Sequence, residues 1–303
     1  MTITESRPAV ARPGPALHLD PRWPVESLWG AGTEPPEGQA RGGTLPTDLL
    51  ARYAAPLWLP LRVDRPTIVA NFVSTLDGVV ALDRIGASGG REIRGGFEPD
   101  RFVMGLLRAT ADAVLVGAGT VRASRTHGWT PAHAHPASLD GYAAWRRQLG
   151  LTAASPATVI VSASGALELG HIPADPGTPV IILTTESGAR GLRRLPRTDH
   201  VEVASVGGGG SIPVDAVVAF LEARGLRVVL SEGGPALFGQ LLSARMVDEV
   251  FLTLAPQLAG RSAASARLSL VEDVALAPAA PWGRLRSVMR SNDHLFLRYQ
   301  LSD

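Results

Sequence analysis

The sequence predicts an α/β fold: a mostly parallel central sheet that ends in antiparallel strands, with helices on both faces. Three observations lead to it. From Thr67 onward, short β-branched apolar segments alternate with segments of helical period, the signature of strand–helix–strand units. Several of these segments run directly into glycine-containing turns, as strands feeding crossovers do. The last two, DEVFLTLAP and HLFLRYQL, follow with almost no helix before them and read as antiparallel strands closing one edge.

Residues 1–66 hold eleven of the 24 prolines together with Trp23, Trp29 and Trp58. Proline deletes backbone donors and favours extended chain, so little regular structure is expected here. The expectation is roughly 40 flexible or extended residues, then a short helix near Thr47–Ala54, with apolar anchors docking on the body. This divides the chain into a Pro/Trp-rich arm, 1–60, and a body, 61–303. TIVANFVS (67–74) reads as a strand buried on both faces. EPDRFVMGLLRAT reads as a helix, because Phe102, Val103, Leu106 and Leu107 share one face and acidic residues lead its first turn. AVLVG (113–117), TVIVS (158–162), PVIILTT (179–185) and VEVASV (201–206) are further strands. SIPVDAVVAFLEARG reads as a helix with Ser211 near its N-cap, Pro213 in its first turn and Gly225 beyond its end. RVVLSE (227–232) is a strand leading through Gly233-Gly234 into the helix PALFGQLLSAR. The four glycines at 207–210 read as a flexible connector.

Composition narrows the chemistry. The 303 residues are 45% hydrophobic and 19% charged, and 29 basic against 28 acidic side chains leave a net charge of +1. That balance suggests neither a nucleic-acid nor a membrane-surface partner. Cysteine and lysine are both absent, so all 29 basic residues are arginine. Disulfides, thiolate nucleophiles, Cys-ligated zinc, Schiff-base enzymes and a P-loop lysine are thereby excluded. Carboxylates, histidines, hydroxyls, arginines, backbone amides and a bound cofactor remain. Residues 1–15 lack the apolar core of a signal peptide, and no run of about 18 apolar residues occurs. A cytoplasmic, membrane-free protein is expected.

Three glycine turns follow strands, where open α/β sheets bind ligands: residues 71–78, 116–122 and 231–239. In VGAGTVR, Gly117 and Gly119 suit close approach of backbone to a pyrophosphate, but Arg122 stands where a dinucleotide fingerprint needs a third small residue. In SEGGP, Pro235 suits a first helical turn, leaving free amides to face an anion; an ordinary tight turn explains it as well. Glu232 is either a proton-handling or ring-gripping carboxylate or a cap for local amides. Asp77 before Gly78 fits a turn residue at least as well as a catalytic one. Asn71, inside an apolar strand, needs polar partners from the fold or from a ligand. His127, His133 and His135 match no compact metal geometry, so no metal is expected. Arginines 122, 125, 146 and 147 are available for phosphate or are solvated surface.

In order, N-x-V-S-T-L-D-G, D-R-F-V-x-x-L-R-A-x-A-D-A-V-L-V-G-A-G-T-V-R, S-E-G-G-P-x-L and D-E-V-x-L-T-x-A-P resemble the bacterial riboflavin-biosynthesis pyrimidine reductases. These form the reductase half of a bifunctional deaminase/reductase within the dihydrofolate-reductase-like superfamily. The resemblance spans about residues 67–301 and implies that fold, a homodimer and NADPH. The implied reaction reduces 5-amino-6-(5-phosphoribosylamino)uracil, with hydride going to C1′ of an opened imine. By the same resemblance Val116, Gly117, Gly119, Thr120, Glu232, Gly233 and Gly234 line the NADPH site, and Ser88 lies near the nicotinamide. Thr184 and Thr185 fall on the adenosine side, with Arg190 or Arg193 as countercharge to a 2′-phosphate. Asn71, Ser74, Asp77, Arg122 and Glu232 surround the substrate, with Glu232 and Asp77 as catalytic candidates. Two departures stand out. Val79 replaces a lysine common in the family, and RASRTHGWTPAHAH replaces a run that helps hold the ribose phosphate. The deaminase half, with its zinc cysteines, has no counterpart here. A tailoring or pterin/dihydrofolate-type reductase, or a non-catalytic nucleotide-binding assembly protein, are the alternatives.

Overall fold

A computed structural model describes residues 24–30, 35–82, 89–124, 128–194, 198–262 and 267–301. In chain order the strands are β1 (Glu26–Trp29), β2 (Ala40–Gly43), β3 (Leu57–Pro60), β4 (Thr67–Ser74), β5 (Val79–Ala81), β6 (Ala113–Gly117), β7 (Ala157–Val161), β8 (Val180–Thr185), β9 (Val201–Gly207), β10 (Val228–Ser231), β11 (Glu249–Leu254), β12 (Leu268–Ser269), β13 (Gly283–Ser291) and β14 (His294–Leu301). The helices are α1 (Thr47–Tyr53), α2 (Gly89–Arg94), α3 (Glu98–Thr110), α4 (Ala118–Ala123), α5 (Pro131–Ala134), α6 (Leu139–Gln148), α7 (Glu186–Leu192), α8 (Val214–Ala223) and α9 (Pro235–Ser243).

Ten strands form one sheet in the order β1-β13-β14-β11-β4-β10-β6-β7-β8-β9, and two small ribbons, β12-β5 and β2-β3, flank it. From β11 to β9 every neighbour is parallel, whereas β14, β13 and β1 add in antiparallel fashion. The predicted architecture is therefore present, with one correction. DEVFLTLAP is parallel to β4 and antiparallel only to β14. Helix α9 lies between β10 and β11 and carries the chain across β4, which requires the two strands to run in the same direction.

The described part of the proline-rich stretch is also more structured than expected. Beyond α1, it builds β1 on the sheet edge and the β2–β3 ribbon. Three of its prolines stand where no ladder donor is needed: Pro46 caps α1, Pro60 ends β3 and Pro66 precedes β4. Val25, Leu45, Leu49, Leu57 and Leu59 are all buried in the main core. Helix α8 starts at Val214 after Pro213, later than the sequence suggests, because the Ser211 amide is used in a turn to the Gly208 carbonyl.

Two cores sandwich the sheet. On one face Val69, Val114, Val116, Leu230, Phe251 and Phe296 pack under α1, α3 and α6. On the other, Ile68, Ala70, Leu115, Val229 and Val250 pack under α8 and α9. The alternation along β4 is the period-2 consequence of strand geometry. Gly105 lets α3 and α6 approach, since a Cβ there would lie 2.6 Å from the Tyr142 hydroxyl. Tyr142 donates to the Phe102 carbonyl and Trp145 to Thr110 Oγ1, so both rings are buried with their polar atoms satisfied.

Candidate active site

Parallel strands end together, so the register decides which residues meet. Ser74 pairs with Leu254, Ala70 with Ser231, Ser231 with Leu115, and Gly117 with Val161. The turns after β4, β6 and β10 thus share one edge of the sheet, as expected from the sequence. The Glu232 amide extends this register by donating to the Leu115 carbonyl at 3.0 Å. Asn71, Val116 and Glu232 point to the face covered by α3, because each is one residue out of phase with Ala70, Leu115 and Ser231.

The glycines of this edge differ in what requires them. Gly117 caps α4 and Gly234 caps α9, neither with a side-chain cap bond, so first-turn amides remain open. Gly119 is exposed and has nothing within 4 Å of a built Cβ, so packing does not demand glycine there. Gly233 is different: a Cβ would lie 2.6 Å from Leu237 Cδ2 and 3.1 Å from its Cβ. A Cβ on Gly234 would sit 3.3 Å from Thr120 Oγ1, which places Thr120 across the crevice from α9.

Glu232 is not a free carboxylate. Arg108 on α3 grips it with both arms of its fork, Nε to Oε1 at 2.9 Å and Nη2 to Oε2 at 2.6 Å. The third guanidinium nitrogen, Nη1, donates to the Thr130 carbonyl at 3.1 Å and the Gly128 carbonyl at 3.4 Å. Both side chains are over nine-tenths buried. Each carboxylate oxygen of Glu232 thus accepts from Arg108 in this arrangement. Arg108 went unnoticed in the sequence because nothing in its local spacing separates it from 28 other arginines; its partner lies 124 residues away.

Asp77 serves its turn. It accepts from Thr75 Oγ1 (2.5 Å), the Ala259 amide (3.1 Å) and the Gly260 amide (2.7 Å). These bonds, the threonine's first, hold its carboxyl down at about 2. Asp77 thereby ties the turn to the segment after β11. Ser74 is buried and bonds the Thr75 carbonyl. Asn71 makes no side-chain hydrogen bond among the described residues; with Tyr53, Val103, Phe251 and Thr253 it lines a cavity of about 10 Å³, room for one water.

Other expected residues lie elsewhere. Thr184 and Thr185 are buried and spent on backbone: Thr184 Oγ1 donates to the Ser162 carbonyl, and Thr185 Oγ1 donates to the Ala163 carbonyl while capping α7 at the Gly188 amide. Arg190 and Arg193 are exposed beside them. Arg122 reaches toward the Ala166 carbonyl beyond β7, on the far side of the crevice from Asn71. Arg146 is buried and donates to the Ala109, Ala111 and Ala153 carbonyls, a structural staple rather than a phosphate ligand. Ser88, Arg125 and His127 lie outside the described residues. His135 is buried, 3.4 Å from Glu98 and 2.9 Å from Ser138; burial depresses its pKa, against the raising effect of Glu98. Among the described residues no three His, Asp or Glu side chains gather as metal ligands, and no helix is long and apolar enough to cross a membrane.

Comparison with known proteins agrees with this frame. The family model described as RibD C-terminal domain matches residues 66–277. The 2,5-diamino-6-ribosylamino-4(3H)-pyrimidinone 5′-phosphate reductase of Archaeoglobus fulgidus is 26% identical over 197 residues, covering 65% of this chain and 83% of that protein. The enzyme of the same name from Methanothermobacter thermautotrophicus is 26% identical over 197 residues, 65% of this chain and 80% of that protein. A pyrimidine reductase-like protein from Corynebacterium diphtheriae shares the fold, with a TM-score of 0.62 at 24% identity over 78% of this chain and 92% of its own. The deaminase/reductase of Thermotoga maritima gives a TM-score of 0.56 at 22% identity, over 78% of this chain and 57% of that one. The chain belongs to the RibD C-terminal domain family.

Proposed function

We propose that the protein is an NADPH-dependent oxidoreductase of riboflavin biosynthesis that reduces a ribosylaminopyrimidine 5′-phosphate, with 5-amino-6-(5-phosphoribosylamino)uracil as its substrate. The observation that carries this reading is the single sheet edge on which the Gly117–Thr120 and Glu232–Gly234 turns face each other, in a chain of this family whose curated relatives are reductases. A dinucleotide fits the residues present. Open first-turn amides at Gly117 and Gly234 suit a pyrophosphate, the unobstructed side of Gly119 admits close approach, and Thr120 adds a hydroxyl. When bound, the nicotinamide supplies the hydride. The chain supplies position: Arg108 fixes Glu232 as an acceptor, and the unbonded Asn71 amide offers the substrate a donor and an acceptor. Water supplies the proton to the imine nitrogen, which stays bonded to C1′ as the amine of the product. The same reading makes the protein a cytoplasmic homodimer.

The test follows nicotinamide absorbance with NADPH or NADH against the uracil substrate, its 2,5-diaminopyrimidinone counterpart and dihydrofolate. Oxidation of NADPH by the uracil compound is expected. Turnover of the diaminopyrimidinone alone would exchange the substrate, and turnover of dihydrofolate alone would overturn the reading. Gly119→Ala is expected to weaken NADPH binding about tenfold, about 1.4 kcal/mol, while fold stability stays level or rises by up to ~1 kcal/mol, since alanine is the better helix residue. Unchanged NADPH affinity would remove the α4 turn from the cofactor site.

A further inference from the structure

The hairpin between β13 and β14 holds a cluster of buried polar atoms that nothing among the described residues satisfies. Ser291 and His294 pair across its two-residue turn, where Asn292 takes a φ of 50°. Both ring nitrogens of His294, both amide atoms of Asn292 and Ser291 Oγ are buried without a hydrogen-bond partner, as is Arg94 Nε. The six atoms belong to one joint. The His294 ring, 8% exposed, stacks on Phe97 at 3.8 Å and 10°. The Phe97 amide donates to the Arg94 carbonyl at 3.2 Å, and Arg94 Nη1 meets Asp100 Oδ2 at 3.2 Å. Buried polar groups are normally paired, so a cluster of orphaned ones marks a place where a polar partner from outside the chain would be favoured.

The joint lies on the candidate active edge. Leu295 pairs with Leu254 and Leu254 with Ser74, which puts the hairpin tip two strands from Ser74, roughly 10 Å at about 4.8 Å per strand. His294 also shares its face with Phe296 and hence with Asn71. The chemistry is neutral. Burial depresses the His294 pKa, Asp100 opposing, so the imidazole presents one donor and one acceptor. Asn292 presents the same pair, and Asp100 answers the Arg94 charge. Adjacent donors and acceptors without net charge match a lactam, N–H beside C=O, better than an anion.

We propose that Asn292 and His294 form the subsite for the lactam edge of the substrate's heterocycle. The six-residue α2, which carries Arg94, begins with Gly89-Gly90 and is followed by Gly95 and Gly96, which adopt φ of 65° and 76° and have open space beside them. The subsite deepens the reductase reading, but its test needs no turnover. Protein labelled in its histidine rings is titrated separately with 5,6-diaminouracil and with ribose 5-phosphate, and the His294 signal, identified by its loss in His294→Gln, is followed by NMR. Diaminouracil is expected to shift that signal saturably, and Asn292→Gly, which suits the left-handed backbone, to weaken the response about tenfold. A shift caused by ribose 5-phosphate alone, no shift with either probe, or an unchanged Asn292→Gly response would overturn the proposal. Base binding at His294 without reduction of any ribosylaminopyrimidine would refute the reductase reading and leave the subsite standing.

Discussion

Removing Arg108 should destabilise the protein far more than removing both Arg108 and Glu232. The fork and the carboxylate are 6% and 9% exposed, so Arg108→Met strands a negative charge in low dielectric and also takes donors from the Gly128 and Thr130 carbonyls. Breaking a buried pair from one side costs about 3–5 kcal/mol. At ~2 °C per kcal/mol for a chain of this size, the midpoint falls by ~6–10 °C. Glu232→Gln keeps an acceptor for one arm and leaves Arg108 its two carbonyls, so it should cost less, about 1.5–3 kcal/mol. Arg108→Met with Glu232→Met replaces two desolvated charges by apolar groups and should recover most of the loss. Urea unfolding of the wild type, Arg108→Met, Glu232→Met and the Met/Met double variant closes a double-mutant cycle, with a coupling energy of at least ~2 kcal/mol expected. Single variants that each cost under ~1 kcal/mol, or a double variant whose cost is their sum, would refute the pairing as the reason Glu232 stands where it does.

Three further outcomes follow from neighbouring contacts. Gly233→Ala should cost about 1–3 kcal/mol because its methyl meets Leu237; trimming Leu237 to Ala in the same chain should relieve it, and a full-cost double variant would count against the clash. Asp77, held at about 2 against an unfolded value near 3.9, lends stability that is present above pH ~4 and lost as pH falls toward 2. Asp77→Asn should flatten that window and open residues 256–262 to limited proteolysis; an unaltered acid profile would contradict it. His135 and His294 both have depressed pKa values, chiefly from burial, so the stability they lend is present above about pH 6.5 and is lost below it. Glu98, Ser138, Arg52 and Arg101 surround His135, and His135→Gln should reduce the drop in melting temperature between pH 7 and 5. A drop of the same size would exclude His135 as a source.

Most strands were legible because β-branched runs such as TIVANFVS fit only a sheet buried on both faces. Strand direction was not: an apolar run carries no arrow, and β11 became parallel only through the α9 crossover. The ribbon at Leu57–Pro60 hid among prolines because an edge tolerates missing donors that a central ladder does not. Turn chemistry located the strand-to-helix turns that hold Gly117, Gly119 and Gly234, whereas the local sequence could not tell that Gly233 answers to Leu237. The largest gap concerns long-range pairs. Asp248 is met by both arms of Arg65, and Glu249 by Arg298, just as Glu232 is by Arg108. In a chain without lysine every buried carboxylate of this kind is met by a planar fork, and composition hints at that habit without naming the pairs.

The placement of β4 also governs how the molecule is made. Its neighbours are β10 and β11, separated from it by about 160 to 180 residues, so the middle of the sheet cannot close until nearly the whole polypeptide has left the ribosome. Until then TIVANFVS is an apolar ribbon with both hydrogen-bonding edges bare, a template for association between nascent chains. Contacts so distant along the chain also slow folding. Truncations ending before residue 228 should therefore accumulate as aggregates rather than as folded fragments, and synthesis, more than equilibrium stability, is where this architecture is most exposed.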